Sequence, residues 1–110
     1  KRAISRRKDD SSANQHLSIQ DILEAIATYY DVKLSDILSK RRHKSITGPR
    51  QIGMWLARHH TRFSLEEIGG YFGGRDHTTV MHAIKTVDQR RGDDQRMQRD
   101  LSQLENRLND

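Results

Sequence analysis

The stretch "GGRDHTTVMHA", residues 73–83, decides how this chain is read. Two glycines make a turn, Asp76 can cap a helix, and Val80 and Ala83 follow at helical spacing. The same few positions hold a carboxylate, two histidines and two threonines, from Asp76 to His82. Such a cluster suits a metal site, a hydrolytic centre or a surface that reads another molecule.

The neighbouring residues narrow the choice. Just upstream, "SLEEIGGYF" opens with Ser64 and Glu67 at capping-box spacing, which predicts a short helix broken by Gly73-Gly74. Downstream, a longer helix is predicted from His77 to about Arg91, with Val80, Ala83, Ile84 and Val87 turned inward. A short capped helix, a glycine-containing turn and a longer helix make a helix-turn-helix unit. In such units the first residues of the second helix face base edges in the major groove. Here those residues are His77, Thr78 and Thr79. A threonine hydroxyl donates or accepts, its methyl packs on a thymine methyl, and histidine can donate to N7 or O6 of a purine.

Further out, "PRQIGMWLARHHT" predicts a third helix with Pro49 in its first turn, where a missing N–H costs nothing. Ile52, Trp55, Leu56 and His59 fall on one stripe, and Trp55, the sole tryptophan, is assigned to the core. "SIQDILEAIATYY" carries Ile19, Ile22, Leu23, Ile26 and Tyr30 on one face, with Ser18 and Asp21 placed to cap it. A short helix is expected around Leu34–Leu38, and Met97, Leu101, Leu104 and Leu108 stripe a last one. Nothing alternates with period two. The expected fold is all-α, a bundle of about six helices containing a helix-turn-helix, with a basic loop before it. Residues 1–16 lack an apolar period and end in "DDSSANQ", so they read as a basic tail or linker, and 17–110 as the domain.

Composition removes whole classes of chemistry. In 110 residues there is no cysteine, which excludes disulfides, thiolate catalysis and cysteine zinc sites. No apolar run approaches the roughly 20 residues that span a bilayer, and no secretory h-region is present. A cytoplasmic, nucleoid-associated location is expected. The first residue is Lys1, not methionine, so a fragment of a longer protein is expected as well. Net charge is +5, and its placement matters more than its total. "KRRHKSITGPR", 40–50, holds Lys40, Arg41, Arg42, Lys44 and Arg50 without one acid, and "KRAISRRK" opens the chain. Concentrated positive charge on such a domain favours nucleic acid first and anionic membrane second. The bland alternative for the loop is a solvated, flexible one. Otherwise it lies along the backbone or puts an arginine into a narrow minor groove. Neutralising about five phosphates gives a log–log salt slope near −4.5, or roughly 500-fold weaker binding between 50 and 200 mM salt.

Other uses of the cluster fare worse. His77 and His82 stand about 140° apart around a helix, whereas helical zinc ligands sit at i, i+4, where Met81 stands. His59 and His60 are adjacent and diverge, and His82 reads as a packing or surface residue. Neighbouring helical side chains do not face each other, so His77 cannot activate Thr78 or Thr79. "GGYFGG" lacks the lysine and hydroxyl of a phosphate-binding loop. No catalytic residue, metal or cofactor is assigned to this chain.

"IGGYFGGRDHTTVMHAIKTV", 68–87, together with "YYDVKLSDILSKRRHKSITGPRQIGMWLAR" upstream, closely resembles the C-terminal DNA-binding domain of the bacterial chromosomal replication initiator family, DnaA. The resemblance covers about 17–110. It implies double-stranded DNA as partner, through a short asymmetric origin box of TTATNCACA type. Position by position it implies base contacts from His77, Thr78 and Thr79, with Asp76 beside them, and Arg42 in the minor groove. It implies phosphate contacts from Lys40, Lys44, Arg50 and Gln51, and a further DNA contact from Arg58. In the family an AAA+ ATPase module precedes this domain, so ATP belongs to that module and the tail to the connecting segment. For that tail, contact with DNA or acidic phospholipid is weighed against a plain linker. An isolated domain is expected to be monomeric, since an asymmetric box does not call for a two-fold dimer.

Three departures from the family pattern stand out. Glu66 stands where many members have proline, and its carboxylate should repel phosphate. Gly48 replaces a frequent arginine, and His59-His60-Thr61 replace an acidic-apolar pair. The competing readings are a stand-alone transcriptional regulator with the same domain, an adaptor whose basic face binds an acidic protein, and a small hydrolase built on Asp76 and His77.

Overall fold

A computed structural model describes residues 18–109, which form six helices and no strand. They are α1 (Ile19–Tyr30), α2 (Leu34–Ile37), α3 (Lys44–His60), α4 (Leu65–Tyr71), α5 (His77–Arg90) and α6 (Gln95–Asn109). The tail and its expected DNA or lipid contacts lie outside the described residues.

Helix starts follow local hydrogen bonding. The first turn of a helix has N–H groups without intrahelical partners, and side-chain oxygens supply them. Ser18 Oγ accepts from Asp21 N at 3.0 Å while Asp21 Oδ2 receives Ser18 N at 3.3 Å. Ser64 and Glu67 make the same reciprocal pair at 3.1 and 2.8 Å. Asp76 Oδ1 accepts from Thr79 N at 2.9 Å, and Asp94 Oδ1 from Met97 N at 3.1 Å. α1 ends at Asp31, whose left-handed backbone (φ 56°) turns its N–H back onto the last carbonyls.

The third helix departs from expectation. It begins at Lys44, not near Pro49, and Pro49 lies inside it. His43 makes this start, because its Nδ1 accepts from Ser45 N at 3.3 Å. Buried Ile46 then anchors the early turn against the core. These gains outweigh the one backbone bond that Pro49 cannot donate. The basic loop is therefore shorter than its sequence suggests, and Lys44 and Arg50 belong to a helix.

Phe72, Ile22, Ile26, Ile37, Met54, Leu56, Ile68, Val80, Val87 and Leu104 are fully buried. Each such side chain stabilises the fold by about 1.5–3 kcal/mol relative to exposure. α3 runs through the middle and packs against α1, α2, α4 and α5, while α6 covers α1. Trp55 is in the core as expected, and its Nε1 also donates to Asp88 on α5 at 2.8 Å. The hydroxyls of Tyr29 and Tyr30 both donate to Asp100, at 2.8 and 3.0 Å, and tie α1 to α6. At the start of the turn, Gly69 has no room for a side chain: a Cβ there would sit 2.0 Å from the Arg75 carbonyl. Its own carbonyl accepts from the N–H groups of Phe72, Gly74 and Arg75, so the turn folds tightly over it.

Candidate nucleic-acid interface

The interface is built around the first turn of α5. Asp76, His77, Thr78 and Thr79 are all exposed there. The Asp76 carboxyl is held below the usual carboxylate range, first by the Thr79 N–H, then by the Thr79 hydroxyl, with His77 nearby adding to it. Asp76 is thus committed to the helix through one oxygen. The next two residues, His77 and Thr78, have side chains free of that task.

A groove of about 570 Å³ brings Lys40, Arg42, Arg50, Gln51, Asp76 and Thr79 together, with Arg75 and His82 along its walls. Residues from two distant parts of the sequence, the basic run and the helix start, therefore share one concave surface. Arg58 and Thr78 line a neighbouring groove with Met81 and Lys85. Lys44 faces a third depression, beside Arg90 and Arg96 but also Asp94 and Asp100. Lys40, Arg42 and Lys44 are exposed, and so is Arg58, whose Nη1 reaches the Phe63 carbonyl at 3.4 Å.

Arg50 is the exception. It is 5% exposed, and its guanidinium donates inward to four backbone carbonyls. Nε reaches Ile37 O at 2.7 Å, Nη1 reaches Arg41 O at 2.8 Å, and Nη2 reaches Asp36 O and Ser39 O at 3.0 Å each. Four of its five N–H donors are spent inside the protein. Its guanidinium is thus mostly turned to the protein, because the loop wraps its carbonyls around this side chain, while the residue still lines the groove. Burial, and secondarily the charge of Arg75, lowers the pKa of Arg50.

Arg75, which sequence reasoning passed over, joins the same junction. Its Nη2 donates to Ser39 O at 2.6 Å and its Nη1 to Phe72 O. Lys40 Nζ donates to Gly73 O at 3.2 Å. For Arg75 the only local signal is its place after two glycines, which fixes a turn and not a partner. The departing residues are also placed. Glu66 is exposed in the first turn of α4. The space around Gly48 is open. His59 lies on the Trp55 ring at 4.1 Å between centroids, His60 Nε2 is 2.8 Å from Glu105, and Thr61 bonds back to the Ala57 carbonyl. The "HHT" helix end thus packs and caps. Among the described residues no three His, Cys, Asp or Glu side chains gather as a metal would need. No helix among them is long and apolar enough to cross a membrane.

The bacterial DnaA protein helix-turn-helix family matches residues 19–87. The chain belongs to this family. Its helix-turn-helix spans α4 and α5, and the match takes in the basic run and α3 as well. The chromosomal replication initiator protein DnaA of Burkholderia vietnamiensis (strain G4 / LMG 22486) is 44% identical over 95 residues, covering 86% of this chain. That of Burkholderia mallei (strain SAVP1) is also 44% identical over 95 residues. The chain spans 18% of the length of these curated relatives. A crystal structure described as a DNA replication initiation factor superposes with a TM-score of 0.75 at 35% identity, covering 89% of this chain and 30% of that one.

Proposed function

We propose that this DnaA-family domain binds double-stranded DNA sequence-specifically, at origin boxes of TTATNCACA type, as the address-reading part of a replication initiator. The observation that carries the reading is the shared groove, which puts Asp76 and Thr79 of the α5 start beside Lys40, Arg42, Arg50 and Arg75. His77, Thr78 and Thr79 read bases in the major groove, with Asp76 holding the helix start and in reach of the same bases. Arg42 enters the minor groove, where a narrow A·T-rich stretch concentrates negative potential. Lys40 and Gln51 take phosphates within the groove. Lys44 and Arg58 take phosphates beyond its edges, Lys44 the more weakly because Asp94 and Asp100 share its surface. Backbone and base contacts then divide the work: the cations set affinity and register, the helix start sets sequence. ATP is handled by another module of the parent protein, and this domain binds as a monomer.

An anisotropy titration at about 150 mM salt tests the reading, comparing a duplex carrying TTATCCACA with a scrambled duplex of equal length. A preference of about a hundredfold or more is expected, within the usual specific-to-non-specific range. Equal, strongly salt-dependent affinities would instead leave a basic domain that coats DNA or binds an acidic protein, and the base-reading role of His77–Thr79 would be withdrawn.

A further inference from the structure

The helix start and the basic loop come from separate elements, yet they are fastened to one atom. Ser39 O, in the loop, accepts from Arg50 of α3 at 3.0 Å and from Arg75 of the helix-turn-helix turn at 2.6 Å. Neither guanidinium is paired with a carboxylate among the described residues. Burial is costly for both charges and lowers the pKa of each, and at Arg50 the charge of Arg75 adds to it. The arrangement persists because loop and turn carbonyls point their negative ends at both groups. Contact is close as well: Gly73 adopts φ 91°, and a Cβ there would stand 2.1 Å from the Leu38 carbonyl. Lys40 adds a bond across the same seam, to the Gly73 carbonyl.

Resting on the DNA-binding reading above, we propose that Arg75 is a positioning residue that fixes the distance between the basic loop and the start of α5. It thereby makes minor-groove insertion and major-groove reading one coupled event. The major and minor grooves of a given box lie at a set spacing along the duplex. A loop free to drift from the helix would engage its groove independently and lose the ordering advantage. Arg50 shapes the loop from within. Arg75, whose bonds run from turn to loop, is the only one of the two that can set the loop's place relative to the reading helix. Lysine at position 75 keeps the charge but lacks the planar fork that spans Phe72 O and Ser39 O together.

The test uses the whole chain and four duplex titrations per variant, with Arg42→Ala introduced into both the natural and the Arg75→Lys background. Arg75→Lys is expected to lower the cognate-over-scrambled preference roughly tenfold, in line with coupling between residues of one network. In that background Arg42→Ala should cost clearly less than it does alone. A second route leaves residue 75 an arginine and disturbs the seam itself, since a Cβ at Gly73 would meet both the Leu38 carbonyl at 2.1 Å and Arg75 Nη1 at 2.8 Å. Gly73→Ala drives a methyl into the loop, whereas Gly74→Ala, at φ 80° with open space around it, imposes a like backbone strain without the wedge. Gly73→Ala should lose preference and Gly74→Ala should keep it, with folding of both followed by circular dichroism. Should Arg75→Lys weaken both duplexes equally, Arg75 is a phosphate contact and the proposal is overturned. Additive losses from Arg75→Lys and Arg42→Ala overturn it too, as does equal behaviour of the two glycine variants. If instead the natural chain shows no cognate preference, what fails is the DNA-binding reading on which the coupling rests.

Discussion

Two arginines of one basic run, Arg42 and Arg50, face opposite ways. Arg42 stands exposed on the rim of the groove, while Arg50 is buried with its guanidinium spread over the carbonyls of Asp36, Ile37, Ser39 and Arg41. One is offered to a partner and the other is consumed in building the surface that makes the offer. A loop that must present charge to DNA needs a fixed shape, and with few apolar side chains it cannot get that shape from a hydrophobic core. A planar five-donor cation can gather its backbone carbonyls instead. Positive charge in this run is therefore two populations, one turned to solvent and one bonded mainly to the protein's own carbonyls.

The largest effect expected from this contrast is on stability. Arg50→Ala leaves several buried carbonyls unpaired, each at roughly 1–3 kcal/mol, so a loss on the order of 3 kcal/mol is expected. That lowers Tm by roughly 10–20 °C in a domain of this size. Arg42→Ala should stay within about 0.5 kcal/mol of the natural chain, as for an exposed side chain without internal partners. Thermal melts without DNA decide it. Similar melts for the two variants would erase the distinction between builder and presenter.

Much of this molecule is legible in the sequence because it is local. Ser18 with Asp21, Ser64 with Glu67, and Asp76 ahead of Thr79 are read from spacing alone, and each cap is where the spacing puts it. The stripes of α1, α5 and α6 bury as their periods require, since one face of a helix has only one core to meet. What escapes is decided at longer range. Pro49 suggested a helix start, but His43 capping and the burial of Ile46 set it a turn earlier. Arg50 reaches carbonyls 9 to 14 residues away. Arg75 reaches one 36 residues away, and no periodicity announces such a meeting.

A smaller effect sharpens the outward side of the comparison. Thr79 is exposed and lines the groove with Arg42, so its methyl is open to DNA while its N–H and hydroxyl are shared with Asp76. Thr79→Ala is expected to cost about 1–3 kcal/mol on the cognate duplex and little on the scrambled one. Equal losses on the two would make Thr79 part of the backbone-gripping surface and move sequence reading to His77 and Thr78 alone.

Asp76 belongs to both sides of the comparison, and the smallest effect is expected there. Its carboxylate lies in a groove rimmed by cations, yet it is turned to the N–H and hydroxyl of Thr79, which hold its pKa down. A carboxyl whose pKa is lower folded than unfolded stabilises the fold above its ordinary value of about 3.9, and that contribution is lost as pH falls through the folded value. Asparagine can accept the same N–H bond but does not titrate. Asp76→Asn should therefore leave stability near pH 7 almost unchanged and make the decline between about pH 5 and 2 shallower. Denaturant melts across that range would measure it. Parallel curves for the two chains would mean that the Thr79 bond does not distinguish a charged from a neutral cap. Asp76 would then be spared for the DNA, and the reading helix would owe its start to the tight turn over Gly69.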